Sequence, residues 1–455
     1  MKKFASLLLT AVLLATVLTV FAVPASAEEE SQTGGTDITW ELSEDGKTLT
    51  FTGEGAMPNY DITTFEDRPW HSAAETVTTV QVKPGITALG DYAFFYFEKM
   101  TSVTIPDGVT SIGNDAFYHC ESLTSVTIPS SVTSIGNSAF SSCTNLESVT
   151  IPSSVESIGA FAFQGCNKIA TLTISEGVTS IGEAAFSSCT CLESVTIPSG
   201  VASIGVFAFQ GCNKIATLTI SDGVKSIGAY AFQGCNKIAN VTIPGTVGSI
   251  GEGAFVNCIG ITTLTISDGV KSIGARAFQG CNSIANVTIP GTVGSIGESA
   301  FHNCANLQSV TIPSGVTSIG PQAFGGCPNL ATVMIPASVT SIGLQAFDGC
   351  PNLVIHGTSG TAAEQYAKEN DIDFFDNEEC KHFARFTCDT CNTHLTKSDL
   401  LKAWGNTATA STLSEGSLTI ICSVACLAVG LVGGLLIGKK KKPAAANGAN
   451  REDEE

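Results

Sequence analysis

The chain has 455 residues, 41 of them acidic and 22 basic, and the resulting net charge of −19 argues against nucleic acid as a partner. The acid is concentrated toward the ends. Residues 103–356 hold 13 acidic and 6 basic side chains among many Ser and Thr, so the middle of the chain is hydroxyl-rich and nearly uncharged.

In chain order, Lys2 and Lys3, an apolar run from Leu7 to Val23 and Ala25-Ser26-Ala27 read as a secretory signal peptide over residues 1–27, with cleavage expected after Ala27. No cysteine stands at that cleavage site, so lipid attachment there is not expected. Residues 28–88 form an N-terminal cap. Within it, Trp40 to Phe51 reads as two short strands around Asp45-Gly46, the strongest two-residue hairpin signal.

From Leu89 to Ile342 an aliphatic residue precedes a glycine twelve times at an unbroken spacing of twenty-three residues. Each pair is followed by Ala-Phe, as at Phe94, Phe117 and Phe140, and three residues after the Phe comes Cys, from Cys120 to Cys350. A fixed period of this length marks a solenoid. In the layer from Leu123 to Leu146, alternation predicts a strand over Ser125 to Ile128 with Val126 and Ile128 inward, ended by Pro129, which has no N–H to offer. Val132 and Ile135 turn inward again, Gly136 breaks direction, and Asn137 is placed to cap a short helical turn burying Ala139, Phe140 and Cys143. A lone layer cannot fold, because ordering its backbone outweighs burial of its five or six apolar side chains, so stacking is obligatory and the ends need caps.

The pattern L-x-x-V-x-I-P-x-x-V-x-x-I-G-x-x-A-F-x-x-C resembles the BspA-like subtype of leucine-rich repeat, found in bacterial surface proteins that act as adhesins or interaction modules. The resemblance implies a right-handed, β-rich α/β superhelix over residues 89–358, each 23-residue repeat giving a short strand and a short helical or 3-10 turn. The chain departs from the general leucine-rich repeat in having Ser131, Ser154 and Gly177 where an asparagine ladder would stand. Gly55-Ala-Met-Pro58 with Pro69-Trp70 is similar to the N-terminal cap of these proteins. Residues 359–378 are read as a C-terminal cap, with Thr361-Ala-Ala-Glu364 a capping box opening a helix to about Glu369 and Asp371 to Phe375 closing the stack.

Residues 379–417 contain Cys380, His382, Cys388, Cys391 and His394. Cys388-x-x-Cys391 with Cys380 and His382 matches a tetrahedral structural zinc set, and disulfides are the competing reading. No other cofactor is expected. The eleven cysteines from Cys120 to Cys350, one per layer, are read as buried, reduced packing residues, since their Cβ vectors run parallel rather than toward each other.

Leu418 to Ile437 is twenty uncharged residues, ~30 Å as a helix, and residues 418–438 are read as one C-terminal transmembrane helix. Lys439 to Lys442 place residues 439–455 in the cytoplasm and the solenoid outside a bacterial cell membrane. Cys422, Cys426, Gly430, Gly434 and Gly438 form a small-residue stripe that would let two helices pack as a homodimer. The stalk, Leu395 to Ser417, reaches at most ~80 Å, and no L-P-x-T-G precedes the helix.

The six His residues are scattered and share no motif with a nucleophile, and no phosphate-binding loop lies between a strand and a long helix, so no enzymatic activity is expected. Two faces remain as ligand-binding candidates. One is the strand position between the two inward residues, occupied by Thr127, Thr150, Thr173, Thr196, Thr219 and Thr242, whose alternation points outward. The other is the site two residues before each Phe, where Phe161, Phe207 and Tyr230 replace Asp or Ser. The implied partner is an extracellular protein or glycan. The competing reading is a structural envelope protein without a specific ligand.

Overall fold

The computed structural model describes residues 37–377, together with the backbone of Thr387–Cys388 paired antiparallel with Thr393–His394. The signal peptide, the stalk, the membrane segment and the basic tail lie outside the described residues. Among the described residues no helix is long and apolar enough to cross a membrane.

The hairpin around Asp45-Gly46 forms as Thr39–Leu42 against Thr48–Thr52, with Trp40 opposite Phe51. Thr48–Thr52 then pairs in parallel with Thr79–Val82, which pairs with Ser102–Thr104, so the cap passes directly into the stack.

Apart from the layer that holds Thr127, each layer contributes two strands where one was expected. The threonine-bearing strands are joined by two-residue Ser–Ile strands such as Ser134–Ile135 and Ser157–Ile158. With Ile86–Leu89 and Gly55–Ala56 these build one thirteen-stranded parallel sheet ending at Ser341–Ile342. The Ile of each pair is buried, as at Ile158 and Ile181, both 1% exposed. Two residues are too few to show a period, so the second strand leaves no alternation to read.

The expected helical turn is not helical. Around each Phe the chain makes tight turns with a left-handed residue two before the Phe and, in most layers, another two after it: Ser138 at φ 52° and Ser142 at 61° flank Phe140. Positive φ at the third residue is what a type II turn requires. These turns bond between layers. The N–H groups of Ser138, Phe140 and Ser142 donate to the carbonyls of Ala160, Ala162 and Gln164 in the following layer, at 2.8, 2.7 and 2.7 Å. Asn137 likewise caps no helix; its side chain accepts from the N–H of Ala160 one layer on, 2.9 Å away. The glycine before the turn is required by close approach, because a Cβ on Gly136 would lie 2.6 Å from the nitrogen of Asn114.

The side chains repeat the same stacking. The twelve rings from Phe94 to Phe347 form one column, with neighbours such as Phe186 and Phe209 at 5.3 Å and 11°. The ladder cysteines are free and buried, in agreement with the reduced packing reading. Each thiol also donates to a buried carbonyl, as Cys212 Sγ does to Phe186 O at 3.1 Å. That second bond gives cysteine a use that alanine or valine would lack. Ser131 and Ser154 take over the asparagine role in part, donating to Val109 O at 2.7 Å and Val132 O at 2.6 Å in the preceding layer.

The turn ladder has a direction, with N–H groups pointing toward the C-terminus, so its two ends need opposite caps. At the first layer the carbonyls of Asp91, Ala93 and Phe95 have no preceding layer. Tyr60 N–H donates to Asp91 O, Trp70 Nε1 to Ala93 O at 2.8 Å, and Arg68 Nη1 and Nη2 to Ala93 O and Phe95 O, both at 3.1 Å. Arg68 is 2% exposed, and burial draws its pKa down to about 10, which leaves it charged at neutral pH. At the last layer an acceptor is needed instead. Tyr366, in the helix Ala362–Glu369, accepts from Phe347 N–H through its hydroxyl at 3.2 Å and sets its ring edge-on to Phe347 at 5.7 Å.

That C-terminal helix forms where expected, but the capping box is shifted. Glu364 accepts from Gly360 N–H at 2.6 Å, and the Thr361 hydroxyl donates to Thr358 O rather than accepting from the helix. The strand Asp373–Asp376 closes the sheet alongside Val354–Gly357.

The threonine strands do not form one continuous sheet, and in the middle of the stack the breaks fall where proline follows the strand. Ser175, Ser221 and Ser267 follow their strands and donate back to Ile151, Ile197 and Ile243 at 3.2, 3.2 and 3.0 Å. These three layers are joined to their predecessors by four-residue pairings. Pro198 and Pro244 have no N–H for Ile174 and Ile220, and the sheet breaks before those layers. The predicted strand Ser125 to Ile128 is reduced to a single bridge between Ser125 and Ser102. A Ser221→Pro substitution is expected to remove one such bond and destabilise by about 1 kcal/mol, read as a lower urea midpoint with faster amide exchange over 217–220.

Candidate functional site

The threonine column is where the sequence placed it. Ser194–Ile197 pairs in register with Thr217–Ile220, bringing Thr196 beside Thr219, while the flanking Val195 and Ile197 are 2% and 0% exposed. Thr127, Thr150, Thr173, Thr196, Thr219 and Thr242 are all exposed. Breaks divide them into blocks: Thr150 with Thr173, Thr196 with Thr219, and Thr242 with Thr265 at the start of a seven-stranded sheet. Thr127 lies in an extended segment outside the paired strands. The resulting surface offers hydroxyl donors and acceptors at layer spacing, with no charged side chain in the column.

The second face differs from its expectation. Phe161, Phe207 and Tyr230 are half-buried, and all three hold left-handed backbone, at φ 59°, 56° and 56°. Phe207 stacks on Tyr230 at 5.4 Å, and the Tyr230 hydroxyl donates to Glu252 Oε1 at 2.6 Å. Glu252 also accepts from Arg276 Nη1 at 2.9 Å, and Arg276 reaches Glu298 at 3.6 Å. Phe161 is not part of this group, since Ala184 occupies the intervening layer. The ring faces are thus largely spent on neighbouring layers, with room for a modest contact but not an anchor pocket.

Of the zinc candidates, Cys380, His382 and Cys391 lie outside the described residues, and only the backbone of Cys388 is given, in its two-residue strand. Among the described residues no group of three or more metal-ligating side chains comes together.

No arrangement suited to catalysis is apparent in the described layers. Burial pushes the thiols of Cys258 and Cys327 up to about 12 and that of Cys350 to about 11, so the ladder holds thiols rather than nucleophilic thiolates. Two open depressions lie toward the ends of the stack: one of 710 Å³ beside Phe347, Asp348 and Tyr366, and one of 370 Å³ beside Met57, Asp91 and Gly113.

The family model for BspA-type leucine-rich repeat regions matches residues 73–190, 110–239, 156–285 and 225–354. The chain belongs to the BspA-type leucine-rich repeat family. Among solved structures, a leucine-rich repeat protein from Bacteroides ovatus is 25% identical to this BspA-type chain, covering 74% of it and 98% of its own length with a TM-score of 0.55. A leucine-rich cell surface protein from Faecalibacterium prausnitzii is 28% identical over 74% of this chain and 96% of its own, with a TM-score of 0.41. A leucine-rich repeat protein from Eubacterium ventriosum is 27% identical over 70% and 95%, with a TM-score of 0.47. No curated protein matches the chain. The BspA-type chain is therefore a leucine-rich repeat protein of the bacterial surface type, with an architecture suited to binding proteins.

The sequence reading passed over the positions one and two residues after the Phe. In the first two BspA-type layers these are Phe95, Tyr96, Tyr118 and His119, where later layers have mostly Ser, Gln, Gly or Asn, with Val256, His302 and Asp348 the exceptions. The signal is a departure from the repeat at its N-terminal end.

Proposed function

We propose that the chain is a cell-surface binding protein that holds an extracellular protein or glycan against its threonine strands and mediates adhesion to host or neighbouring-cell macromolecules. The observation that carries this reading is the exposed threonine column over a buried aliphatic face, repeated without an insertion that would build a cleft. Hydroxyls repeated at layer spacing satisfy a ligand by many weak, additive contacts, which suits a long or repetitive partner. Anchorage by a single-pass helix at 418–438, with the tail inside, supplies the attachment such a protein needs, and the small-residue stripe in that helix supports a homodimer.

The test is binding of the full-length chain to an array of extracellular-matrix proteins and glycans. Replacing Thr196 and Thr242 together by Arg is expected to reduce binding at least tenfold, because two long cations would lift the ligand off the sheet. Both positions are exposed and two layers apart, so stability is expected to change by less than about 0.5 kcal/mol. Silence of the unmodified chain across the array would favour a structural envelope role instead.

A further inference from the structure

We propose that the aromatic shelf at the N-terminal end of the solenoid, formed by Tyr92, Tyr96, Tyr118 and His119, is a binding site for a neutral oligosaccharide. The site is separate from the threonine strands and stands without them.

The shelf is a connected set of rings on the turn ladder. Phe95 is 4% exposed and serves as its base: Tyr118 stacks on it at 5.0 Å and 14°, Tyr92 leans on it at 4.9 Å, and Tyr96 meets it edge-on at 4.6 Å. Tyr96, 42% exposed, in turn lies parallel to the His119 imidazole at 5.0 Å and 25°. Tyr118 closes the group against His119 at 4.5 Å.

Three of these rings sit where the backbone resists them: Tyr92 has φ 57°, and Tyr96 and His119, each two residues after the Phe of its layer, have φ 61° and 57°. The ten later layers place Ser, Gly or Asn at the same position, as at Ser142, Gly165 and Asn257. Asn and Gly tolerate left-handed backbone, whereas a bulky ring there is strained by on the order of 1 kcal/mol. Strained residues persist at sites with a use. The rings contribute nothing to the buried column, which is complete with Phe94 and Phe117, so their use is on the surface.

The chemistry points to a sugar. Ring faces carry the negative part of the aromatic quadrupole and attract the polarised C–H edges of a pyranose. Carboxylates stand at both margins to accept hydroxyl protons: Asp115 occupies the position of Tyr92 one layer on, and Glu121 Oε1 lies 3.2 Å from His119 Nδ1. Those acids disfavour sialylated or sulfated glycans. The shelf spans about two layers, ~10 Å, before Ser141 and Ser142 replace the rings. That length accommodates a short oligosaccharide.

The test is retention of the full-length chain on immobilised neutral oligosaccharides, namely laminari-, manno-, galacto- and chito-oligosaccharides. At least one series is expected to bind. The double variant Tyr96→Asn/His119→Asn is expected to lose at least tenfold in affinity while melting at the same or a higher temperature, since Asn fits the backbone that the rings strain. Tyr118→Leu, which keeps an apolar residue on Phe95 at a position without that strain, should weaken binding as well, and Thr196→Arg/Thr242→Arg should leave it intact. Absence of binding to every neutral series, binding confined to acidic glycans or to proteins, or affinity unchanged in the double variant would overturn the proposal.

Discussion

Replacing Phe209 with alanine is expected to destabilise the solenoid by about 3 to 5 kcal/mol, in the range of large-to-small substitutions in a packed core. Phe209 is fully buried, with Phe186 above it at 5.3 Å and Phe232 below at 5.4 Å. The column offers no alternative side chain to fill the gap, because each ring is held by the turn of its own layer and by Cys thiols bonded across the same carbonyls. Layers in a solenoid contact only their neighbours, so the loss should also be local. Urea unfolding, a single transition for the unmodified chain, is expected to divide into two, with faster amide exchange centred on layers 186 to 232. A single transition with an unchanged midpoint would show that the ring column does not couple the layers.

Replacing Arg68 with methionine is expected to destabilise the N-terminal layers by about 2 to 5 kcal/mol, since each buried carbonyl left without a donor loses about 1 to 3 kcal/mol. Methionine keeps most of the packing volume over Phe65 and Phe97, whose rings lie 5.7 Å from the guanidinium, so the change isolates the hydrogen bonds. Phe95 O loses its donor outright, whereas Ala93 O retains Trp70 Nε1. Arg68→Lys should recover part of the loss, because an ammonium donates three bonds but cannot reproduce the planar fork. Trp70 fluorescence during urea unfolding reports the event directly, as this ring packs on Phe51 at 4.9 Å beside the cap. Equal midpoints for the methionine and native chains would mean that the ladder end needs no charged donor.

Both effects follow from a feature of the turns that periodicity alone does not reveal. The column of Phe and the buried cysteines were legible because large apolar residues recur at fixed positions, and the hairpin and terminal helix because their turn residues are distinctive. The turn ladder was not. Its left-handed positions are filled by Ser, Phe, Tyr, Arg and Gln as well as Gly, so the usual glycine signal of positive φ is absent, and the pattern reads as a helical turn. The Ser–Ile strand was hidden by its length, and Arg68 by lying twenty-odd residues from the carbonyls it serves. The threonine face was legible from alternation, yet its division into blocks depends on which layers carry Pro and which Ser, a detail that resembles a duplication scar until the bonds are traced.

The proposed function requires the threonine face of the solenoid to be displayed outside the cell membrane. Labelling intact, unlysed cells with antibodies raised against the solenoid tests that claim most directly. Strong staining before permeabilisation is the predicted result; staining that requires lysis of the envelope would contradict it.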